Sequence, residues 1–271
     1  MDFKKTVAIA AAAGALAAIS VPAMALENEF HGMYKVFGYQ SNFFNGATQG
    51  FSADPKSGFY AEQRARLQYT AKANADLKLV THFELDSRFG GKATPTGAIT
   101  STNAGYLGTA TGNDAGNIDA DQLTLETKSI YLDFNCPITG TNVKAGLQPW
   151  ADSYQSLFLL ADMTGANATK KFGPATGSLA WFRFDDNTAT AAQVGKLTAD
   201  LLVVDGKYAI NKDMTVGASY YNIQNDTGLT ATAAFEMLHM VGVNADIKVG
   251  PASIKPFAAF QFGDRTAATP T

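Results

Sequence analysis

The stretch FYAEQRARLQYTAKANADLKLVTHFELDSRF, residues 59–89, decides the fold. Its odd positions begin Phe59, Ala61, Ala65, Leu67, Tyr69 and Ala71, interrupted only by Gln63. The even positions are Tyr60, Glu62, Arg64, Arg66, Gln68 and Thr70. Side chains alternate across a strand, so one face is apolar and the other charged. After residues 72–76 the pattern resumes, with Leu77, Leu79, Thr81, Phe83 and Leu85 set against Lys78, Val80, His82, Glu84, Asp86 and Arg88. Each arm is about ten residues long, the length a tilted strand needs to cross a bilayer. A sandwich strand alternates too, but it is normally shorter and turns its polar face to bulk water. A polar face dense in both signs of charge suits a water-filled interior.

The two arms also specify a register. Pairing positions whose numbers sum to 150 sets Glu62 opposite Arg88, Arg64 opposite Asp86 and Arg66 opposite Glu84. Every cross-strand pair is then complementary, and Asn74-Ala75-Asp76 remains as the turn. Such pairs contribute about 0.2–1 kcal/mol each.

The chain begins as an exported one would. Lys4 and Lys5 form a basic start, Val7–Ile19 is apolar, and Ala23-Met24-Ala25 is a small-residue cleavage site, so residues 1–25 read as a signal peptide. The apolar run is too short for a retained membrane helix. Removing Lys4, Lys5 and Asp2 from 21 basic and 24 acidic residues leaves 19 and 23 in residues 26–271. That mild acidity argues against a nucleic-acid partner. No later stretch is apolar enough for a membrane helix. Export then leaves a soluble secreted protein or a barrel whose apolar residues are hidden in alternation. The single cysteine, Cys136, excludes an internal disulfide and multi-cysteine metal sites.

Alternation predicts eleven strands in all. Besides the hairpin they are 30–42, 123–135, 142–148, 166–172, 179–184, 197–209, 214–223, 235–249 and 254–262. A phase change near Lys128-Ser129 implies a bulge in the fourth. Residues 149–165 read as a loop with a short helix around Tyr154–Leu160. Connections after the even-numbered strands are short (72–76, 137–140, 173–177, 211–213 and 250–253), while those after the odd-numbered ones are longer and polar. Barrels of the outer membrane show this asymmetry, and a sandwich has no reason to. The expected fold is an all-β, transmembrane, antiparallel up-and-down β-barrel.

The chain resembles Gram-negative outer-membrane porins. The residues that carry the likeness are Arg64-x-Arg66-Leu67, Ala73-Asn74-Ala75-Asp76-Leu77-Lys78, Tyr131-x-Asp133-Phe134 and Val143-Lys144-Ala145-Gly146-Leu147-Gln148, together with the leader. The pattern covers essentially the whole mature chain, though no one motif is diagnostic. One departure is the end: Pro270-Thr271 follows an odd eleventh strand, where porins finish on a strand with a terminal aromatic. Single-chain bacterial barrels have even strand numbers, and a 16-stranded one would need roughly 350 residues. The expectation is therefore the N-terminal part of a larger barrel.

The resemblance implies a passive channel for small hydrophilic solutes or ions, set in outer-membrane lipid and assembled as a homotrimer. The rival is a structural or interaction barrel that sheathes a partner or presents adhesive loops. The inferred pore-lining set is Lys35, Glu62, Arg64, Arg66, Lys78, His82, Glu84, Asp86, Arg88, Lys128, Asp133, Lys144 and Arg183. These charges either hold the wall in register or set ion preference, and lumen charges do both. By resemblance the loop after strand five folds inward, with Asp152 and Asp162 facing the basic wall of Arg64, Arg66, Lys144 and Arg88. The segment Asn113–Asp121 has closely spaced oxygen ligands but not the EF-hand order, so a solvated loop is favoured over a Ca²⁺ site. His31, His82 and His239 lack ligand spacing, and no serine sits in a Gly-x-Ser-x-Gly elbow. Neither an enzyme, a metal nor a cofactor is expected.

Overall fold

The computed structural model describes residues 26–41, 58–89, 114–115, 125–186, 194–227 and 235–265. Residues 1–25, most of 113–121 and the side chain of Arg88 lie outside them, and with them the leader, the Asn113–Asp121 loop and the Glu62–Arg88 pair. The described residues are all β, with no helix. They form two compact units, one of Asn28–Thr70 with Val80–Lys128, the other of Ala71–Leu79 with Ser129–Thr271.

The first unit holds β1 (Glu27–Ser41), most of β2 (Gly58–Asn74) and β3 (Leu77–Phe89), and the two-residue β4 (Asp114–Ala115). β1 pairs with β2 and β2 with β3, while β4 joins the end of β3 in parallel, Arg88 opposite Asp114. Both arms of the hairpin run past the ten residues expected, because alternation continues beyond the stretch needed to cross hydrocarbon.

The second unit is an antiparallel meander of β5 (Glu126–Asn135), β6 (Asn142–Ala151), β7 (Leu160–Phe172), β8 (Ala175–Asp186), β9 (Thr198–Asn211), β10 (Met214–Asn225) and β11 (Phe235–Val249). Each strand pairs with its chain neighbour, with registers such as Gly146↔Gly165, Phe182↔Leu201 and Ser219↔Gly242. The last leg is divided into β12 (Ala252–Ile254) and β13 (Phe257–Arg265), both paired to β11. The sequence predicts one strand over 254–262. It is interrupted at Lys255-Pro256, since a proline nitrogen has no hydrogen for the ladder. The predicted strand 166–172 is likewise too short, because β7 starts at Leu160. No helix forms around Tyr154–Leu160; residues 152–159 make tight turns, with Gln155 and Ser156 both at φ 62°.

Short and long connections segregate as their sequence implies. The tight turns are built alike: in Asn74-Ala75-Asp76 and Asn211-Lys212-Asp213 the asparagine side-chain oxygen accepts the aspartate N–H, each at 2.8 Å. Three of the tight turns are also tied to a later strand. Asn135 N–H donates to Asp76 O, Ala209 N–H to Pro174 O and Lys248 N–H to Asp213 O, at 2.8–2.9 Å. These turns therefore gather at one end of the meander.

Burial along the strands is inverted relative to a soluble sheet. On the first unit's hairpin Glu62, Glu84 and Asp86 are buried, whereas Phe59, Leu67 and Phe89 are exposed. In the second unit Leu179, Val204, Val241, Val243 and Phe260 are exposed. The opposite face of those strands carries one buried cluster, Tyr154, Met163, Ala180, Phe182, Leu201, Val203, Tyr221 and Met240, with Trp150 against it. On the exposed face the rings of Tyr220, His239, Phe262 and Phe260 stack in succession at 5.0–5.9 Å.

Candidate functional site

In the first unit the polar face of β2 and β3 forms a charge ladder. Arg64 Nε donates to Asp86 Oδ1 at 2.7 Å while Nη2 reaches the other carboxylate oxygen, a two-point grip that fixes the guanidinium plane. Arg66 Nε donates to Glu84, and Arg64 lies 3.6 Å from the same carboxylate. Both pairs obey the sum of 150, as does Thr81 Oγ1 donating to Tyr69 O. Glu62 is buried and accepts from Tyr39 Oη at 3.1 Å. The arginine side chains keep 22% and 29% of their surface, so their outer edges face open space. Lys35 sits 4.6 Å above the Phe37 ring. His82 and Lys128 are half-buried.

In the second unit Asp133 is a hub. Lys78 approaches it at 3.3 Å, Asn142 Nδ2 donates to it at 2.7 Å, and Lys144 stands opposite it in register while lying 5.7 Å from the Tyr131 ring. Lys144 shares its face of β6 with Gln148, whose amide donates to the carbonyls of Lys144, Gly146 and Gly165. That fully buried glutamine ties β6 to β7, and the glycine on each strand opens a close approach on its far side: a β-carbon on Gly146 would collide with the β5 backbone at Ile130, and one on Gly165 with the β8 backbone at Trp181.

Beyond Ala151 the chain turns back across the buried face. Asp152 organises the turn: one carboxylate oxygen accepts the N–H groups of Tyr154 and Ser156, at 2.7 and 3.1 Å, and the other those of Phe158 and Leu159, at 2.8 and 2.6 Å. The loop so formed reaches three further strands. Ser153 N–H donates to Tyr221 Oη at 3.0 Å and its hydroxyl to Asp205. Tyr154 is buried, bonded to Ser219 and ringed by Phe158, Tyr221 and Phe257. Gln155 Nε2 donates to Lys255 O at 2.8 Å.

Three expected roles change. Asp152 is a brace within its own loop, since both its oxygens accept that loop's N–H groups. Asp162 is not in the loop at all: it lies within β7 opposite Pro149, on the face away from Met163 and Gln148. Arg183 shares a face with Trp181, 5.4 Å from its ring, and binds Asp200 at 2.9 Å and Asp186 at 3.3 Å. The buried cluster uses the opposite face, through Ala180 and Phe182. The loop covers that face, which is apolar where the loop packs.

The residues that seat the loop are Asp205, Ser219 and Tyr221, none of which stood out as a motif. Asp205 alone carried a signal, as the acid that ends the apolar run Leu201-Leu202-Val203-Val204.

No family model matches the chain, and no curated protein does. Solved structures do resemble it. A triple mutant of Rh. blastica porin aligns at 14% identity over 86% of this chain and 84% of that one, with a TM-score of 0.33. Salmonella typhi OmpF in complex with daunomycin aligns at 13% identity over 86% and 78%, TM-score 0.37. A double mutant of Rh. blastica porin aligns at 14% over 90% and 86%, TM-score 0.34. At such scores the functional reading rests on the faces of this chain's own strands.

Proposed function

We propose that this protein is a porin of the outer membrane, a closed water-filled barrel through which small hydrophilic solutes or ions diffuse. The observation that carries the reading is the inverted burial: Glu62 and Asp86 keep 2% and 5% of their surface, while Phe260 and Val243 keep 66% and 56%. In water, leaving such apolar area exposed forfeits about 25 cal/mol per Å², whereas in hydrocarbon it is the stable arrangement. The stacked Tyr220, His239 and Phe262 fit an interfacial aromatic girdle.

Transport needs no turnover, and none of the chain's groups is asked to perform chemistry. The solute is selected by size and by the charges it passes. The loop Asp152–Leu159 narrows the path by occupying the barrel's interior face, and the outer edges of Arg64, Arg66 and Lys144 supply cationic contacts. A barrel that sheathes a partner would need a clear interior, which this loop disfavours. The same reading has the chain exported by a cleaved leader, read from residues 1–25, and assembled as a homotrimer, which the porin resemblance implies.

Planar-bilayer recording of protein purified from the outer membrane tests the proposal. Discrete current steps are expected. Their absence, with another protein co-purifying in fixed ratio, would overturn it in favour of a sheathing barrel.

A further inference from the structure

Between the loop and the wall of the second unit lies a polar alcove of about 280 Å³. Most groups that line it are already committed. Asp152 is saturated by its own loop, Gln155 donates to Lys255 O, and Asp246 faces Lys255 at 3.6 Å and accepts from Ser253 at 3.4 Å. The nearby Asp205 is engaged by the Ser153 hydroxyl. Three groups remain. Lys207 has no close ion pair among the described residues but lies within electrostatic range of Asp205, two residues back on the same face; the Thr215 hydroxyl also lines the alcove; and Asn244 Nδ2 is buried with no acceptor among the described residues.

Lys207 and Asn244 flank one residue. Gly217 pairs with Lys207 on β9 and with Asn244 on β11, so all three share a face, and Lys207 and Asn244 stand two strands apart, roughly 9–10 Å. Gly217 contributes no side chain to the gap. A β-carbon there would stand 2.6 Å from the Asn244 amide oxygen. The result is a notch with a cation at one side and an unmatched amide N–H at the other, bordered by two neutral oxygens, the Asn244 amide oxygen and the Thr215 hydroxyl. A buried donor without a partner is unfavourable, and an anionic ligand would satisfy it.

We propose that this alcove is a binding station for small carboxylate-bearing solutes, the carboxylate taken by Lys207 and Asn244 beneath the loop. The volume suits a compact organic acid: at about 30 Å³ each, it would hold on the order of nine waters. The inference rests on the porin reading for its purpose but on the notch alone for its chemistry.

Glucuronate and glucose make a matched pair of probes, differing in the carboxylate. Titration calorimetry on the detergent-solubilised protein should show glucuronate binding and no glucose binding. Lys207→Met should weaken it about tenfold or more, the loss of one charged hydrogen bond. Lys207→Arg should retain it, which separates lost charge from misfolding. In bilayers, glucuronate should produce brief current blockades that Lys207→Met shortens. Calorimetric binding that is absent, equal for glucose, or indifferent to Lys207→Met overturns the station even if current steps persist. Lys207-dependent binding without current steps keeps the station and overturns the pore.

Discussion

The phenol oxygen of Tyr154 sits directly over the α-carbon of Gly242, in the space a β-carbon would need. Gly242 is thus the floor of the socket that receives the loop, and Ser219, opposite it in register, supplies the socket's hydrogen bond. Loop and wall are fitted at one atom.

Enlarging that floor should eject the tyrosine. Gly242→Val is expected to destabilise the loop's seat by about 1–3 kcal/mol, the usual cost of overpacking. Single-channel recording should then show larger and noisier current steps, and a protease added to the purified protein should cut within residues 152–159. A channel with unchanged conductance and an uncut loop would mean that Tyr154 does not hold the passage narrow.

Asp152 should matter through hydrogen bonds, not through its field. Asp152→Ala removes the acceptor for four N–H groups, a loss of about 1–3 kcal/mol or more given its charge. Asp152→Asn keeps one acceptor oxygen and should fall between Ala and wild type in proteolysis rate. If ion selectivity follows charge alone, with Asn and Ala equivalent, the carboxylate is acting at a distance after all.

The charge ladder makes the opposite kind of prediction. Replacing both arginines, Arg64→Glu with Arg66→Glu, removes two cations and places like charges beside Asp86 and Glu84. The reversal potential in a salt gradient should move severalfold toward cation preference. Thermal unfolding should also fall, because buried carboxylates stripped of a partner cost about 3–5 kcal/mol. A lower melting temperature without a selectivity change would leave these residues as wall braces only.

Cys136 offers a test of orientation and of pH together. It lies at the tight turn 136–141; short turns of outer-membrane barrels face the periplasm, so the porin reading places it there. The Thr139 hydroxyl, followed by the backbone N–H groups of Thr139 and Ile138, holds its thiol below the usual range. A depressed pKa raises the thiolate fraction at a given pH, so maleimide labelling should begin at lower pH than for an ordinary cysteine near 8.5. Thr139→Val should move that profile upward. Intact cells exposed to an impermeant maleimide should stay unlabelled, and opened envelopes should label.

Much of this was readable before any coordinates. Alternation located the strands because a period of two survives in a face that meets either lipid or water, and Phe235–Val249 matches the predicted bounds at both ends. The Arg64–Asp86 and Arg66–Glu84 pairs were readable because opposite charges on one face admit a single register. Around Pro149 and Gly165 the reading fell short. Proline and glycine look like loop, yet there they sit inside paired strands, with Gly165 at the close approach of β7 to β8 and Gln148 bonding β6 to β7. Arg183 was misplaced because charge was equated with the polar interior. Its own alternation against Phe182 held the answer, but only the loop's position shows which face is covered. The partners of Ser153 and Tyr154 lie more than fifty residues away and follow no spacing rule.

The bonds from Asn135, Ala209 and Lys248 to preceding tight turns bear on how the meander is put together. Every strand in it docks on a neighbour close in sequence, so loop-closure entropy is small at each step. At Asp76, Pro174 and Asp213 a turn carbonyl accepts an N–H from the end of the following hairpin, so neighbouring hairpins are joined by a bond outside their own turns. A break in one hairpin's pairing would therefore be felt at the turn of the hairpin before it, and the turn end of the meander is braced as a continuous rim.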